Sequence, residues 1–288
     1  MLKAVEKIVR LADDRKIAFP EAVLILDAAE TGVPAEEIRG RMAERLADMR
    51  RSVREACANT VPCRIEPSMG PKLRSYQGAM SGDFILAASA TAMEVASYNA
   101  TMGRIVAAPT AGSCGIIPGM LFAWEFFCGE GRDTEALLVD ALITAGAVGE
   151  VTAFRATLAG ADGGCQAECG AAAAMGSAAL AFLQGGTPAM SAHAAAMTFK
   201  SVLGLACDPV GGLVEYPCQN RNAAGVANAL IAAELSLSGI RQLIPFDQML
   251  EAMYAVGKRL PAELRETALG GCAATPAACA ACGLCSGN

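Results

Sequence analysis

Between Glu168 and Lys200 the chain carries no acidic or basic side chain apart from His193, its only histidine, and residues 105–124 are again free of charge. A helix that is apolar all round has no face to offer water, so stretches like these must be buried core or membrane spans. Gly185-Gly186-Thr187-Pro188 splits the first stretch, and Pro109, Gly112, Gly115, Pro118 and Gly119 interrupt the second. The pieces are too short or too broken for simple spanning helices, so they read as core. Hydrophobic residues make up 53% of the chain but aromatics only 5%. The remainder is largely Ala, Leu, Ile, Val and Met, which favours helices packed closely through small side chains. The expected fold is all-α, one helical domain over 1–288, with amphipathic helices in 1–55 and the functional part in 56–288.

A net charge of −6 excludes a nucleic-acid role, since no basic stripe exists to neutralise phosphates. Arg50, Arg51 and Arg54, the densest basic cluster, read as a solvated helix face. The N-terminus lacks the continuous apolar run of a signal peptide, which points to a cytoplasmic protein with no membrane partner. There, twelve cysteines mean metal ligands or buried thiols before disulfides.

Apolar periodicity predicts two or three helices in 1–55, divided at Phe19-Pro20 and Gly32-Val33-Pro34. From Cys57 to Gly82 the pattern lapses into an irregular segment holding Lys72, Arg74, Tyr76 and Ser81, and a loop of that length is more often functional than idle. Helices are expected over 83–101, capped by Asp83, and over 116–127, 133–160, 170–183, 189–206, 223–239 and 246–260. Asn99 and Arg104 lead into the turn Thr110, Ala111, Gly112, Ser113, Cys114, Gly115. Placed before an apolar helix, this turn offers amide N–H groups to a carboxylate.

Cys165, Cys207 and Cys218 each sit beside backbone punctuation: Gly163-Gly164 before the first, Asp208-Pro209 and Gly211-Gly212 after the second, Pro217 before the third. Cys207 follows Cys165 by 42 residues and Cys218 lies 11 further on, unlike compact zinc or ferredoxin spacings. They read as ligands of an iron–sulfur cluster assembled by the fold. Cys57, Cys63, Cys114, Cys128 and Cys169 lack such mutual spacing and read as buried thiols. Cys279, Cys282 and Cys285 run C-x-x-C-x-x-C, the ferredoxin spacing without its fourth member.

GRIVAAPTAGSCGIIPG (103–119), GGCQAECG (163–170), LGLACDPVGGLVEYPCQNRNAAG (203–225) and LRETALGGCAATP (264–276) resemble the α subunit of bacterial iron–sulfur L-serine dehydratases over essentially the whole chain. The resemblance implies a [4Fe–4S] cluster on Cys165, Cys207 and Cys218 with one iron left for substrate. It also implies conversion of L-serine to pyruvate and ammonia without pyridoxal phosphate. Single-chain relatives carry a further regulatory domain, so a separate β subunit and a heteromeric assembly are expected. The Cys-rich tail departs from the family pattern: Cys285 or Cys272 as a cap on the open iron, or a second metal at Cys279, Cys282 and Cys285, both stay open.

Dehydration requires removal of a weakly acidic Cα hydrogen and departure of hydroxide, which a Lewis-acidic iron assists. Lys72 and Lys200 are the candidate bases on placement, with His193 behind them. A pyridoxal phosphate enzyme is disfavoured, since there are only six lysines and no βαβ pattern. A non-catalytic electron carrier or redox sensor is the rival of another class, and a structural zinc protein lacks short ligand pairs outside the tail.

Overall fold

The computed structural model describes residues 2–59, 62–78 and 80–283. Cys285 lies outside them, and with it the capping reading of the tail's end. Among the described residues every regular element is helical, and one isolated bridge pairs Cys207 with Arg265.

The chain opens with α1 (Val5–Arg15), which buries Val5, Ile8 and Ala12 at helical spacing. Its first amides are satisfied from far along the chain, because Asp247 accepts from Val5 N at 3.0 Å and Glu6 N at 3.2 Å. A carboxylate at a helix N-terminus also complements the macrodipole. Next come α2 (Phe19–Thr31), with Pro20 in its first turn, and α3 (Ala35–Ala58). Gly32 stands between them at φ 74°, a left-handed stop. A short α4 (Gly70–Ser75) precedes α5 (Asp83–Ala100), and α6 (Ile116–Cys128) follows. Then come α7 (Thr134–Arg155), capped by Asp133, and α8 (Gly160–Gly163). The chain continues with α9 (Cys169–Leu183) and α10 (Pro188–Lys200), the latter capped by Thr187. It closes with α11 (Cys218–Leu237), α12 (Phe246–Arg259) and α13 (Pro276–Cys282).

Helix α9 is the axis of the packing and touches α6, α7, α10 and α11. Every residue of it except Phe182 is buried. The main core joins residues from Leu2 to Met253. The two stretches apolar enough to cross a membrane by length and composition, Ala111–Cys128 and Thr134–Arg155, are both mostly buried in this fold.

Several boundaries differ from the sequence expectation. Gly82, not Asp83, is the cap of α5, and Asp83 contributes only a charge to the first turn. The irregular 57–82 segment contains α4 and the end of α3. Helix α7 stops at Arg155, whose guanidinium is held by Lys3 O and Glu251, and the chain turns before α8. Helix α10 ends at Lys200 rather than 206. Helix α11 begins at Cys218, five residues early, because Asn222 Nδ2 donates to Cys218 O at 2.9 Å and closes a polar first turn. The Cys-rich tail, for which no helix was expected by range, forms α13.

Glycines allow the backbones to meet. A Cβ on Gly115 would stand 2.0 Å from Ala92 O, and one on Gly119 2.5 Å from Ala88 O, so α6 crosses α5 in backbone contact. A Cβ on Gly176 would meet the movable Met120 Cε instead. Gly115→Ala is expected to destabilise the fold by about 2 kcal/mol or more, whereas Gly176→Ala costs less because Met120 can swing away. Urea unfolding of the two variants measures the difference, and equal midpoints would contradict the backbone-contact account.

Candidate functional site

Three backbone arrangements deliver Cys165, Cys207 and Cys218 to one neighbourhood. Cys165 opens a 3-10 turn between α8 and α9, entered through Gly164 at φ 77°, where a Cβ would lie 2.6 Å from Leu205 O. Gln166 stitches this turn to the segment before Cys207: its N donates to Leu205 O at 3.2 Å and its Oε1 accepts from Gly204 N at 2.9 Å. Cys207 is pinned by a two-bond bridge, its N donating to Leu264 O at 2.9 Å and its O accepting from Glu266 N at 2.6 Å. Cys218 is the first residue of α11, and one turn on Arg221 reaches back to Ala206 O at 2.9 Å and to Asp208 Oδ1 at 2.6 Å.

The three thiols are 3%, 4% and 9% exposed and lie within one another's electrostatic reach. A hydrogen bond from Cys169 lowers the pKa of Cys165 against the effect of burial, and Arg221 adds to the lowering. Cys218 is pushed up to about 12, by burial first and then by Cys165, and burial raises Cys207 still further. Cys165 stands at the approach to α9 and Cys218 within the first turn of α11, where helix dipoles favour sulfur carrying negative charge. Among the described residues no three His, Cys, Asp or Glu side chains close on a single-ion site. Three buried thiols beside a partly buried guanidinium suit a larger anionic group ligated by sulfur.

Glu168 occupies the ground between the thiols and the 110–115 turn. Cys207 Sγ donates to its Oε2 at 3.5 Å, and Thr110 also hydrogen-bonds its carboxylate. Burial raises its pKa, with Glu266 adding to the effect. A Cβ on Gly160 would come within 2.5 Å of Glu168 Oε2 and 2.9 Å of Cys207 Sγ, so a larger residue there would displace one or both side chains.

Asn222, fully buried, ties the turn to the Cys218 helix. Its Oδ1 accepts from Gly115 N at 3.1 Å, and its Nδ2 donates to Gly112 O at 2.8 Å. Ser113 N and Cys114 N bond inside the turn, to Thr110 O and Ala111 O. Among the described residues the turn's other amides, those of Thr110, Ala111 and Gly112, carry no such bond.

The fold thus brings Cys165, Cys207, Cys218, Thr110, Ala111 and Gly112 together. Ser113, Cys114 and Gly115 support the turn, with the Cys114 thiol turned toward Val95 in a small satellite core with Ala56. Asn99 lies half-buried in the last turn of α5, and Arg104 is exposed and pairs with Asp48 at 3.5 Å. Lys72 on α4 and Lys200 at the end of α10 are both exposed. His193 lines a separate cavity of about 400 Å³ against α1 and Phe246, its basicity lowered by burial and by Arg241. Cys279 and Cys282 lie on α13, while Cys272 is nearer, its N donating to Asp208 Oδ2 at 2.6 Å. Sequence reasoning passed over Glu168, Asp208, Arg221 and Asn222. Their signal was helical offset: Glu168 is three residues after Cys165, and Arg221 and Asn222 are three and four after Cys218.

Residues 5–285 match the family described as Serine dehydratase alpha chain. The chain belongs to that family. It is similar to the probable L-serine dehydratase alpha chain of Bacillus subtilis, 40% identical over 96% of this chain and 92% of the relative. It also resembles the L-serine dehydratase alpha chain of Peptoniphilus asaccharolyticus, 41% identical over 95% and 94%. L-serine dehydratase 2 of Escherichia coli is 40% identical over 65% of this chain but only 41% of its own length.

Within this family member, Asn222→Ala strands Gly115 N and Gly112 O in the interior, and the expected cost is about 2–4 kcal/mol. Asn222→Asp keeps an acceptor for Gly115 N but loses the donor to Gly112 O and should fall between. Denaturant unfolding checks both, and an Asn222→Ala midpoint equal to wild type would remove this residue from the account.

Proposed function

We propose that this chain is the catalytic subunit of an L-serine dehydratase, converting L-serine to pyruvate and ammonia. In this reading Cys165, Cys207 and Cys218 hold a [4Fe–4S] cluster. The observation that carries it is the meeting of three buried thiols, delivered by three separate segments, with a turn that presents the amides of Ala111 and Gly112. The names of the relatives support the substrate.

When bound, such a cluster would supply Lewis-acid assistance to departure of the serine hydroxyl. The chain's own residues do the rest. Amides of Ala111 and Gly112 bind the carboxylate and fix its orientation, as N–H groups before a helix do for anions. Arg221 offsets the negative charge gathered by the thiolates. Once Cys207 is a thiolate it no longer donates to Glu168 Oε2. That oxygen is then free to accept the Cα proton, and burial, which raises the carboxyl's pKa, makes it a stronger base than an exposed carboxylate. Glu168, bonded to Cys207 and Thr110, therefore takes precedence over the exposed Lys72 and Lys200. The aminoacrylate left by loss of water tautomerises and hydrolyses to products.

The alpha-chain description of the relatives supports a separate β subunit and a heteromeric assembly. A cytoplasmic setting fits a cluster with an open iron, which oxygen damages.

Anaerobic reconstitution of Cys165→Ala, Cys207→Ala and Cys218→Ala should lower bound iron and the visible sulfur-to-iron absorption and abolish serine turnover. Glu168→Gln should retain iron and lose turnover by about 10²-fold or more. Full iron content in all three cysteine variants would defeat the cluster assignment; unaltered turnover in Glu168→Gln would return the base to the lysines.

A further inference from the structure

The segment 63–66 belongs to the stretch that sequence reading left irregular, and the structure attaches it to the cysteine loop at three backbone positions. Glu215, 4% exposed, accepts from Arg64 N at 2.9 Å, Ile65 N at 2.6 Å and Glu66 N at 3.4 Å. A carboxylate gathering consecutive amides forms a charge-assisted clamp far stronger than ordinary loop contacts. Gln219 adds a second attachment, its Nε2 donating to Cys63 Sγ at 3.6 Å. Glu215 and Gln219 lie three residues before and one residue after Cys218, and Gln219 N donates to Glu215 O at 2.9 Å, so both grips issue from one turn of chain. No side chain of the mechanism above uses either residue. Burying a carboxylate is costly unless it is fully hydrogen-bonded, and here its partners are backbone groups of a distant segment rather than a counter-ion.

We propose that residues 63–66 form a fixed wall of the site beside Cys218, and that Glu215 is the positioning residue that holds the wall closed. Cys218 is the most exposed of the three thiols, so a wall on this side limits water at the site. If the wall opens, only the closed fraction of molecules binds substrate well, and apparent affinity falls by that fraction while the chemistry within the closed form is unchanged. This inference rests on the serine dehydratase reading for its kinetic consequence, but the clamp itself is testable without it.

Amide hydrogen exchange on the intact, reconstituted protein provides the test. In wild type the amides of Arg64, Ile65 and Glu66 should be protected relative to their loop neighbours. Glu215→Gln retains size but turns an amide NH₂ toward the same N–H donors. It should speed exchange at 64–66 about tenfold to hundredfold, with other regions and the thermal midpoint little altered. The serine KM should rise several-fold with kcat and iron content near wild type, and Glu215→Asp should restore part of the protection. Wild-type amides at 64–66 that exchange as fast as exposed loop positions would overturn the proposal even if Glu215→Gln failed to fold. So would Glu215→Gln with unchanged exchange, or with a global loss of protection and no local one. A cluster-loaded wild type that does not turn over serine would sink the functional reading and leave the exchange result standing.

Discussion

Close approach of helix backbones is the constraint on which the rest of this structure depends. Glycines 115 and 119 put α6 against the carbonyls of α5, and the alanine-rich α9 lies buried among four neighbours. With side chains this small, the inter-helix distance is set by backbone, and little tolerance remains for sliding. That rigidity allows thiols from three distant segments to arrive within reach of each other. Larger side chains would move the helices apart, and the loops carrying Cys165, Cys207 and Cys218 would separate with them.

Much of the fold was legible because its signals are local. The charge-free runs, the Gly-Pro breaks and the small-residue composition pointed to an all-α core, and the three cysteines stood out by their flanking punctuation. What was not legible depends on contacts distant in sequence. The early start of α11 rests on Asn222 closing its first turn and on what that side chain grips across the fold at Gly112 and Gly115. Lys72 and Lys200 stood out as charges near motifs; that both are exposed while Glu168 lies partly buried against Cys207 shows only in the packing. Asp83 had the composition of a cap, yet Gly82 took the position.

The polar groups around the thiols follow a division of labour that hydrophobic patterning does not reveal. Asp208 is buried, and burial alone would raise its pKa, but the backbone N–H of Cys272 and the guanidinium of Arg221 hold it below the ordinary carboxylate range. Arg221 in turn faces Asp208, Cys165 and Cys218, so its charge is shared among several acceptors rather than spent on one pair. A buried ion pair on its own gives little net stability because desolvation cancels much of the attraction. Here the pair also fixes direction: Asp208 anchors the chain at Cys272 and Arg221 anchors it at Ala206, on either side of Cys207. The cysteine loop is therefore held by charged side chains bonded to backbone, in a place where apolar packing would leave no room for a ligand.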